Sequence, residues 1–510
     1  MRRSVESLPQ ETIDMIVDTV AQPLYSSDNR FTTRHTNSDV TLARKTLQTL
    51  SLTSPRFRRQ CRVHLFRKLR VRNTEDGGRE ELEITLERWS AAPELASFVR
   101  AVEVCMDFRS CRALGPQALR GGAGTTLRRE NQGLLAKVLA QVHNIQEIDF
   151  AHVPLFDGND LRGFADSEER RIVVKWDGIR KDLRKAMTRM LVVRSGESLK
   201  RFKVSGFKEV PLRDLASLKS LERLEIPSST MTFAVDDGDR AWGPAQTMEL
   251  PWKLTSLNAA SGFTVLGNPL SAGIYERLTE LRLVIGTMEA NSAAWNIVEG
   301  ARNTLKSLKL DYSPHRTQPN LSKHPSHSVA YERLKLIGVL VIQIVFDCLG
   351  ETKYAPRDLP VCPRLEELTI SIFAQQESAR LGYIASVPSS IPDLLSYIVQ
   401  GRRFPALKNF RAFIEAQVSL AQLDAPAIKL VDRSLGWKKL DEILASDEEL
   451  PALEAMKMSV NPEIVDATGS QVFDEDDEEL VDQMQDVLCR MAEDELVEAL
   501  CKSRRRMERL

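Results

Sequence analysis

The sequence predicts an α/β chain in three parts: a helical module at residues 1–72, a solenoid of parallel strands with helices and loops outside at residues 73–470, and a charged tail ending in a helix at residues 471–510. Three observations predict it. Two apolar stripes at helical spacing occupy the first part, a short strand phrase recurs along the second, and an uninterrupted acidic block opens the third.

In the first part Leu8 and Pro9 precede Ile13, Ile16, Val17 and Val20, which recur at the i, i+3, i+4, i+7 spacing of one helix face. Pro9 suits a first turn, where a missing N–H costs nothing. Residues 22–39 are rich in Ser, Thr, Asn and Asp and predict a surface loop. The second stripe runs through Leu42, Leu47, Leu50, Leu52, Phe57, Cys61, Leu65 and Phe66, with Pro55 dividing it into two helices.

At these residues the chain resembles the F-box, the helical module by which substrate receptors of SCF-type ubiquitin ligases hold a Skp-family adaptor. The resemblance is carried by Leu8-Pro9-x-Glu11, the Ile13/Ile16/Val17 face, the run from Leu47 to Ser54, and Arg62-Val63-His64-Leu65-Phe66-Arg67, the last most similar to the F-box-like proteins of fungi. It implies an adaptor-binding face at Leu8, Pro9, Ile13, Ile16, Val17, Leu47, Leu50 and Leu52, partly exposed in the free chain, with a cullin scaffold joined through the adaptor. The insert at 22–39 departs from the short turn usual in that module. The plainer alternative is a helical cap that only seals the first strand of the solenoid.

The solenoid is signalled by a phrase L-x-x-L-x-L, with L any apolar residue. Clear copies are Leu221/Leu224/Ile226, Leu278/Leu281/Leu283, Leu305/Leu308/Leu310 and Leu365/Leu368/Ile370. Looser copies begin at Val99, Ile145, Leu199, Leu254, Tyr331, Leu407 and Leu453. Their separations, about 22 to about 54 residues, centre near the period of leucine-rich repeats. One strand with its return helix cannot bury its own apolar edge, so such units stack. Helical return segments are expected at 133–139 and 393–399, and long loops at 155–182 and 312–329.

Along each strand the x positions alternate to the face opposite the core, here the concave face of a solenoid. From the third copy on they include Arg201, Lys203, Arg223, Arg282, Lys309, Arg333, Lys335, Arg411 and Lys457 against Glu225, Glu280 and Glu367, a basic excess in a chain whose net charge is −1. That excess suits an acidic or phosphorylated segment of a partner protein. Cross-strand pairs of Glu225 and Glu280 with Arg223 and Arg282 are the ordinary alternative.

No catalytic pattern is present in the sequence. Gly121 to Thr126 lacks the Lys-Ser/Thr of a phosphate loop and predicts a plain loop; His324-x-x-His327 lacks further ligands; Asp236 to Asp239 lacks the rest of a calcium loop. Cys61-x-x-His64 predicts a buried thiol beside a half-exposed histidine, not a nucleophile and base. The expectation is therefore a chain that is not an enzyme, with no cofactor or metal. Balanced charge, 70 basic against 71 acidic residues, gives no reason to expect nucleic acid or an anionic membrane as partner. The longest apolar run, 336–346, is short of a membrane span, and seven unpatterned cysteines suit a reducing cytoplasmic or nuclear setting.

In the tail, Asp474 to Glu479 predicts a solvated acidic linker that could compete for the basic face. Leu480, Met484, Val487, Leu488 and Met491 then trace one helix stripe, either a cap over the last repeat or an exposed tail. Together these features predict a non-catalytic substrate-recognition subunit of an SCF-type ligase, or a leucine-rich-repeat interaction scaffold outside any ligase.

Overall fold

The apolar phrase becomes a strand wherever it is seen, because its second and third apolar positions lie two residues apart and so share one face. A computed structural model describes residues 8–24, 37–73, 78–106, 123–152, 174–176, 179–194, 196–208, 210–211, 215, 218–227, 233–234, 251–261, 263, 266, 273–286, 288–312, 359–374, 390–419, 431, 435–465 and 475–507. Among these, eleven strands form a parallel sheet flanked by α-helices. The chain divides into two units: Met1–Pro154 with Ile172–Leu221 and Ala234–Asp236, and Leu155–Arg171 with Glu222–Phe233 and Asp237–Leu510.

Unit 1 opens with three helices, α1 (Gln10–Ala21), α2 (Asn37–Thr53) and α3 (Pro55–Leu65). They enclose a core of Ile13, Val17, Ala21, Leu47, Phe57 and Cys61. The break between α2 and α3 falls at Ser54, whose hydroxyl accepts from Arg56 N at 3.3 Å while Pro55 takes the first helical position. The loop expected at 22–39 is corrected at both of its ends. Residues 22–24 form a 3₁₀ turn and α2 begins at Asn37, with Asp39 in its first turn, where a negative charge offsets the helix dipole. Residues 25–36 lie outside the described residues.

Strand β1 (Lys68–Asn73) comes directly after α3, so the sheet begins inside the segment assigned to the helical module. Helix α4 (Gly78–Ala91), β2 (Ala101–Met106), helix α5 (Ala123–Leu139), β3 (Glu147–His152), helix α6 (Lys181–Arg189) and β4 (Arg201–Ser205) follow, with a separate parallel pair of Val174–Lys175 and Phe207–Lys208, so the loop expected at 155–182 includes a short strand and the start of α6. β1 to β4 pair in chain order in a register that sets Lys68, Ala101, Glu147 and Arg201 side by side. The expected loop at Gly121 to Thr126 is corrected in part, since Ala123–Thr126 are the first turn of α5. A nucleus packed on Leu135, Val138 and Leu139 lets the helix extend backwards over weak formers.

Unit 2 contains β5 (Arg223–Ile226), β6 (Ser256–Ala259), β7 (Glu280–Ile285), helix α7 (Met288–Ala301), β8 (Ser307–Tyr312), β9 (Glu367–Ala374), helix α8 (Ser390–Val399), β10 (Asn409–Ser419), helix α9 (Leu435–Ala445), β11 (Ala455–Val465), helix α10 (Glu475–Ala499) and helix α11 (Cys501–Met507). The expected return helices at 133–139 and 393–399 lie within α5 and α8. The seven strands pair in chain order, every pair parallel. β8 bonds directly to β9, with Ser307 opposite Glu367 and no strand between them. The expected copy at Tyr331, with Arg333 and Lys335, lies outside the described residues, as do His324, His327, Asp236 to Asp239 and the run 336–346.

The stacking has a fixed backbone signature. Before nine of the eleven strands the preceding carbonyl accepts from two successive amides of the next copy, as Lys306 O does from Glu366 and Glu367 at 2.8 and 2.9 Å, and Glu366 O from Lys408 and Asn409 at 2.9 and 3.0 Å. In the first nine described copies of the phrase all three apolar residues are buried; in the last, Met456 and Met458 are only half-buried. β11 has a strand neighbour on one side only, which leaves its face less covered.

The acidic block is not a linker: Glu475 to Glu479 form the start of α10. Carboxylates at a helix N-terminus lie where the macrodipole favours them. α10 bonds to β11, Gln485 Oε1 accepting from Ile464 N at 3.2 Å, and buries Leu488, Ala492 and Leu496. α11 then locks onto α9: Asp441 accepts from Ser503 N and Oγ, both at 2.8 Å, and Arg506 donates to the carbonyls of Leu444, Ser446 and Leu450 at 3.0, 3.2 and 2.7 Å. Of the two outcomes left open for the tail, it is the cap.

Candidate functional site

Two surfaces could hold partners, and each is set by which side of its element the core takes. In the helical module the core takes more than expected. Ile13, Val17 and Leu47 are wholly buried within it, and Leu8 and Leu50 pack against its edge half-buried. They build the module and are not themselves a free docking face, because three short helices need these side chains for a core of their own. Pro9 is exposed, Ile16 is 38% exposed and Leu52 is 81% exposed. The apolar surface also includes Met15 and Leu42, at 62% and 65%. Sequence periodicity passed over Met15, which falls off the first stripe, and put Leu42 on the second stripe without assigning it to the docking face.

Polar contacts fix how α1 lies on α3. Gln10 exchanges bonds with Arg56, donating to its carbonyl at 3.2 Å and accepting from its Nε at 3.3 Å. Gln60 donates to Asp18 at 2.7 Å, and His64 Nε2 stands 2.7 Å from the same oxygen. Burial raises the Asp18 pKa, but the bonds from Gln60 and His64 outweigh it and hold the carboxyl below its ordinary value. The Cys61 thiol is pushed up by burial to about 11 and that of Cys362 to about 12, so neither is a thiolate at neutral pH.

The second surface is the side of the sheet that carries the x positions, where burial alternates as expected, for instance in β4, β7 and β8. In unit 1 this side is a web of cross-strand pairs. Lys68 and Arg70 hold Glu103 at 2.9 and 3.1 Å, Arg201 reaches Glu147 at 3.7 Å, and Lys203 binds Asp149 at 2.8 Å. Burial raises the Glu103 pKa, yet Lys68 and then Arg70 bring it below the ordinary value by hydrogen bond and charge. Arg201 and Lys203 are thus engaged.

In unit 2 register gathers a basic row, Arg282, Lys309, Thr369, Arg411 and Lys457, on five successive strands. Its neighbour row holds Arg223, Glu280 and Glu367. Beyond the phrase the strands continue, placing Asp311 and Glu415 on the same side. Among the described residues of this unit Arg223, Arg282, Lys309, Arg411 and Lys457 are therefore matched by Glu225, Glu280, Glu367, Asp311 and Glu415, so the expected basic excess is there a striped, balanced surface. Counting only the phrase missed the acids because β7 to β10 outrun it. Arg282 pairs with Asp311 at 3.7 Å rather than with Glu280, and Lys457 lies 6.0 Å from the Phe413 ring centre. The side chains of Lys309 and Arg411 make no ion pair or hydrogen bond with described residues.

Among the described residues no group of three or more His, Cys, Asp or Glu could hold a metal ion, and no helix is long and apolar enough to cross a membrane. No protein-family model matches the chain, and no curated protein matches it.

Proposed function

We propose that the chain is a non-catalytic substrate receptor of an SCF-type ubiquitin ligase, its first helices an F-box-like module and its sheet an irregular leucine-rich-repeat solenoid. The observation that carries this is a three-helix module with its own core that still leaves Met15, Ile16, Leu42 and Leu52 in water. Apolar side chains exposed on so small a module are a liability unless a partner covers them. A Skp-family adaptor would bind there and bring the cullin scaffold. The substrate would lie on the sheet, an acidic or phosphorylated segment running along the row of Lys309, Arg411 and Lys457, where arginine can fork onto anionic oxygens. Proximity is the whole contribution, since tethering raises the substrate's effective concentration at the transfer machinery.

The test is co-purification of the full chain with a Skp-family adaptor and cullin. A stoichiometric complex at micromolar concentration is the expected result, and none at that concentration overturns the ligase assignment. A scaffold outside any ligase is the second reading, favoured by the direct run of α3 into β1 and by the Arg62–Glu94 pair at 3.6 Å, as in a cap that seals the first strand.

A further inference from the structure

On the helical side of unit 1, α4, α5 and α6 border an open cavity of about 650 Å³, a size that accommodates a small molecule. Its space comes from short side chains: Gly133 and Ala136 on α5, and Ala140 one turn after Ala136, line it at i, i+3 and i+7. The wall opposite is fixed, because Arg180 N donates to Gln132 at 3.0 Å and the Arg180 guanidinium lies over Gly133, where an added Cβ would stand 3.4 Å from Nη1. Leu134, Ala140 and Ala186 supply the accessible apolar lining, over a floor of Leu139 and Met190, both fully buried.

The charges around this lining are unequal in their engagements. Every carboxylate at the cavity already holds an arginine: Glu83 and Glu130 share Arg79 at 2.8 and 2.9 Å, and Asp182 holds Arg180 at 2.8 Å. Lys137, Lys185 and Arg189 line the same cavity, and their side chains make no ion pair or hydrogen bond with described residues. Cations left open around an apolar lining complement an apolar body with an anionic head. We propose that this cavity binds a small amphipathic anion, its carboxylate or phosphate group held by Lys137, Lys185 and Arg189 and its apolar body laid on Leu134, Ala140 and Ala186. The site is independent of the ligase assignment.

The experiment titrates the full chain with decyl phosphate below its micelle range, with decanol, and with phosphatidic acid vesicles, by calorimetry. Decyl phosphate should bind saturably, decanol about tenfold more weakly or worse, and the triple variant K137E/K185E/R189E should lose about tenfold or more in decyl phosphate affinity. All three side chains are exposed, so the variant should keep the wild-type thermal midpoint. Ala140→Trp, also at an exposed position, should block the same binding by filling the space without changing charge. Binding to the vesicles as well identifies a membrane lipid as the source; binding to decyl phosphate alone identifies a free amphiphile. No saturable decyl phosphate binding up to millimolar concentration, equal binding of decanol, or unaltered affinity in both variants overturns the proposal.

Discussion

Arg506 shows how a single residue closes the chain. Its side chain is 5% exposed; it donates to the Leu444 carbonyl at the end of α9 and adds a second donor to the carbonyls of Ser446 and Leu450, which already accept from Leu450 N and Leu453 N. Arg506→Ala should cost unit 2 about 2 kcal/mol, from the loss of charge-assisted bonds to three carbonyls and of the donor to Leu444, read from chemical denaturation. A loss within error of zero would mean that water replaces the guanidinium at no cost. Glu103 offers a pH test with a defined sign. Its pKa is depressed in the fold, so its contribution is present above about pH 4.5 and disappears as pH falls through the folded value. Wild type should therefore exceed Glu103→Gln in thermal midpoint at neutral pH, the gap closing below about pH 4.5. A gap that does not change with pH removes the electrostatic account.

At the scale of elements, α1 and α2 each serve two surfaces, and substitutions should separate them. Leu47→Ala empties the module's core and should destabilise it by about 2–5 kcal/mol. Ile16→Asp with Leu52→Asp touches exposed positions, so stability should hold within about 0.5 kcal/mol while adaptor binding weakens by ~2 kcal/mol or more. If the double variant unfolds while the Leu47 variant does not, the assignment of faces is reversed. β1 was readable as a strand from its own residues. Phe66-x-x-Leu69-x-Val71 is one more copy of the phrase, hidden because the same residues also complete the helical resemblance. The acidic start of α10 was hidden differently, since a charge block reads as solvated chain unless the stripe after it has a surface to pack on.

For the molecule as a whole, a repeat fold must close its last apolar edge, and α10 with α11 does so at β11. Removing residues 475–510 should bare Val460 and Ile464 and leave a chain that aggregates on purification, checked by size-exclusion chromatography. A monodisperse truncated chain with an unchanged melting point would show that the cap is dispensable. Substrate capture along the striped face should be salt-dependent, falling several-fold between about 0.05 and 0.5 M salt as the Debye length shortens, and it should drop in Lys309→Glu with Arg411→Glu. Capture indifferent to both would move the substrate site off the sheet.

The sequence alone determined the repeat. Apolar residues at fixed separation dictate which side of each strand is buried, and ten copies of the phrase, besides the one at Phe66, lie on strands of the described chain. It also determined that the first helices are amphipathic and where Pro55 divides them. Only the tertiary structure decided which apolar residues of those helices are core and which are surface, because a stripe gives a direction on one helix but not what lies opposite it. Tertiary structure likewise decided the charge of the sheet face. Pairing sets Asp311 and Glu415 beside the basic row and joins Arg201 to Glu147 and Lys203 to Asp149, over sequence distances that no local pattern spans. Local periodicity fixes which way a side chain points, whereas its neighbours are fixed by strand register, which only the folded chain supplies.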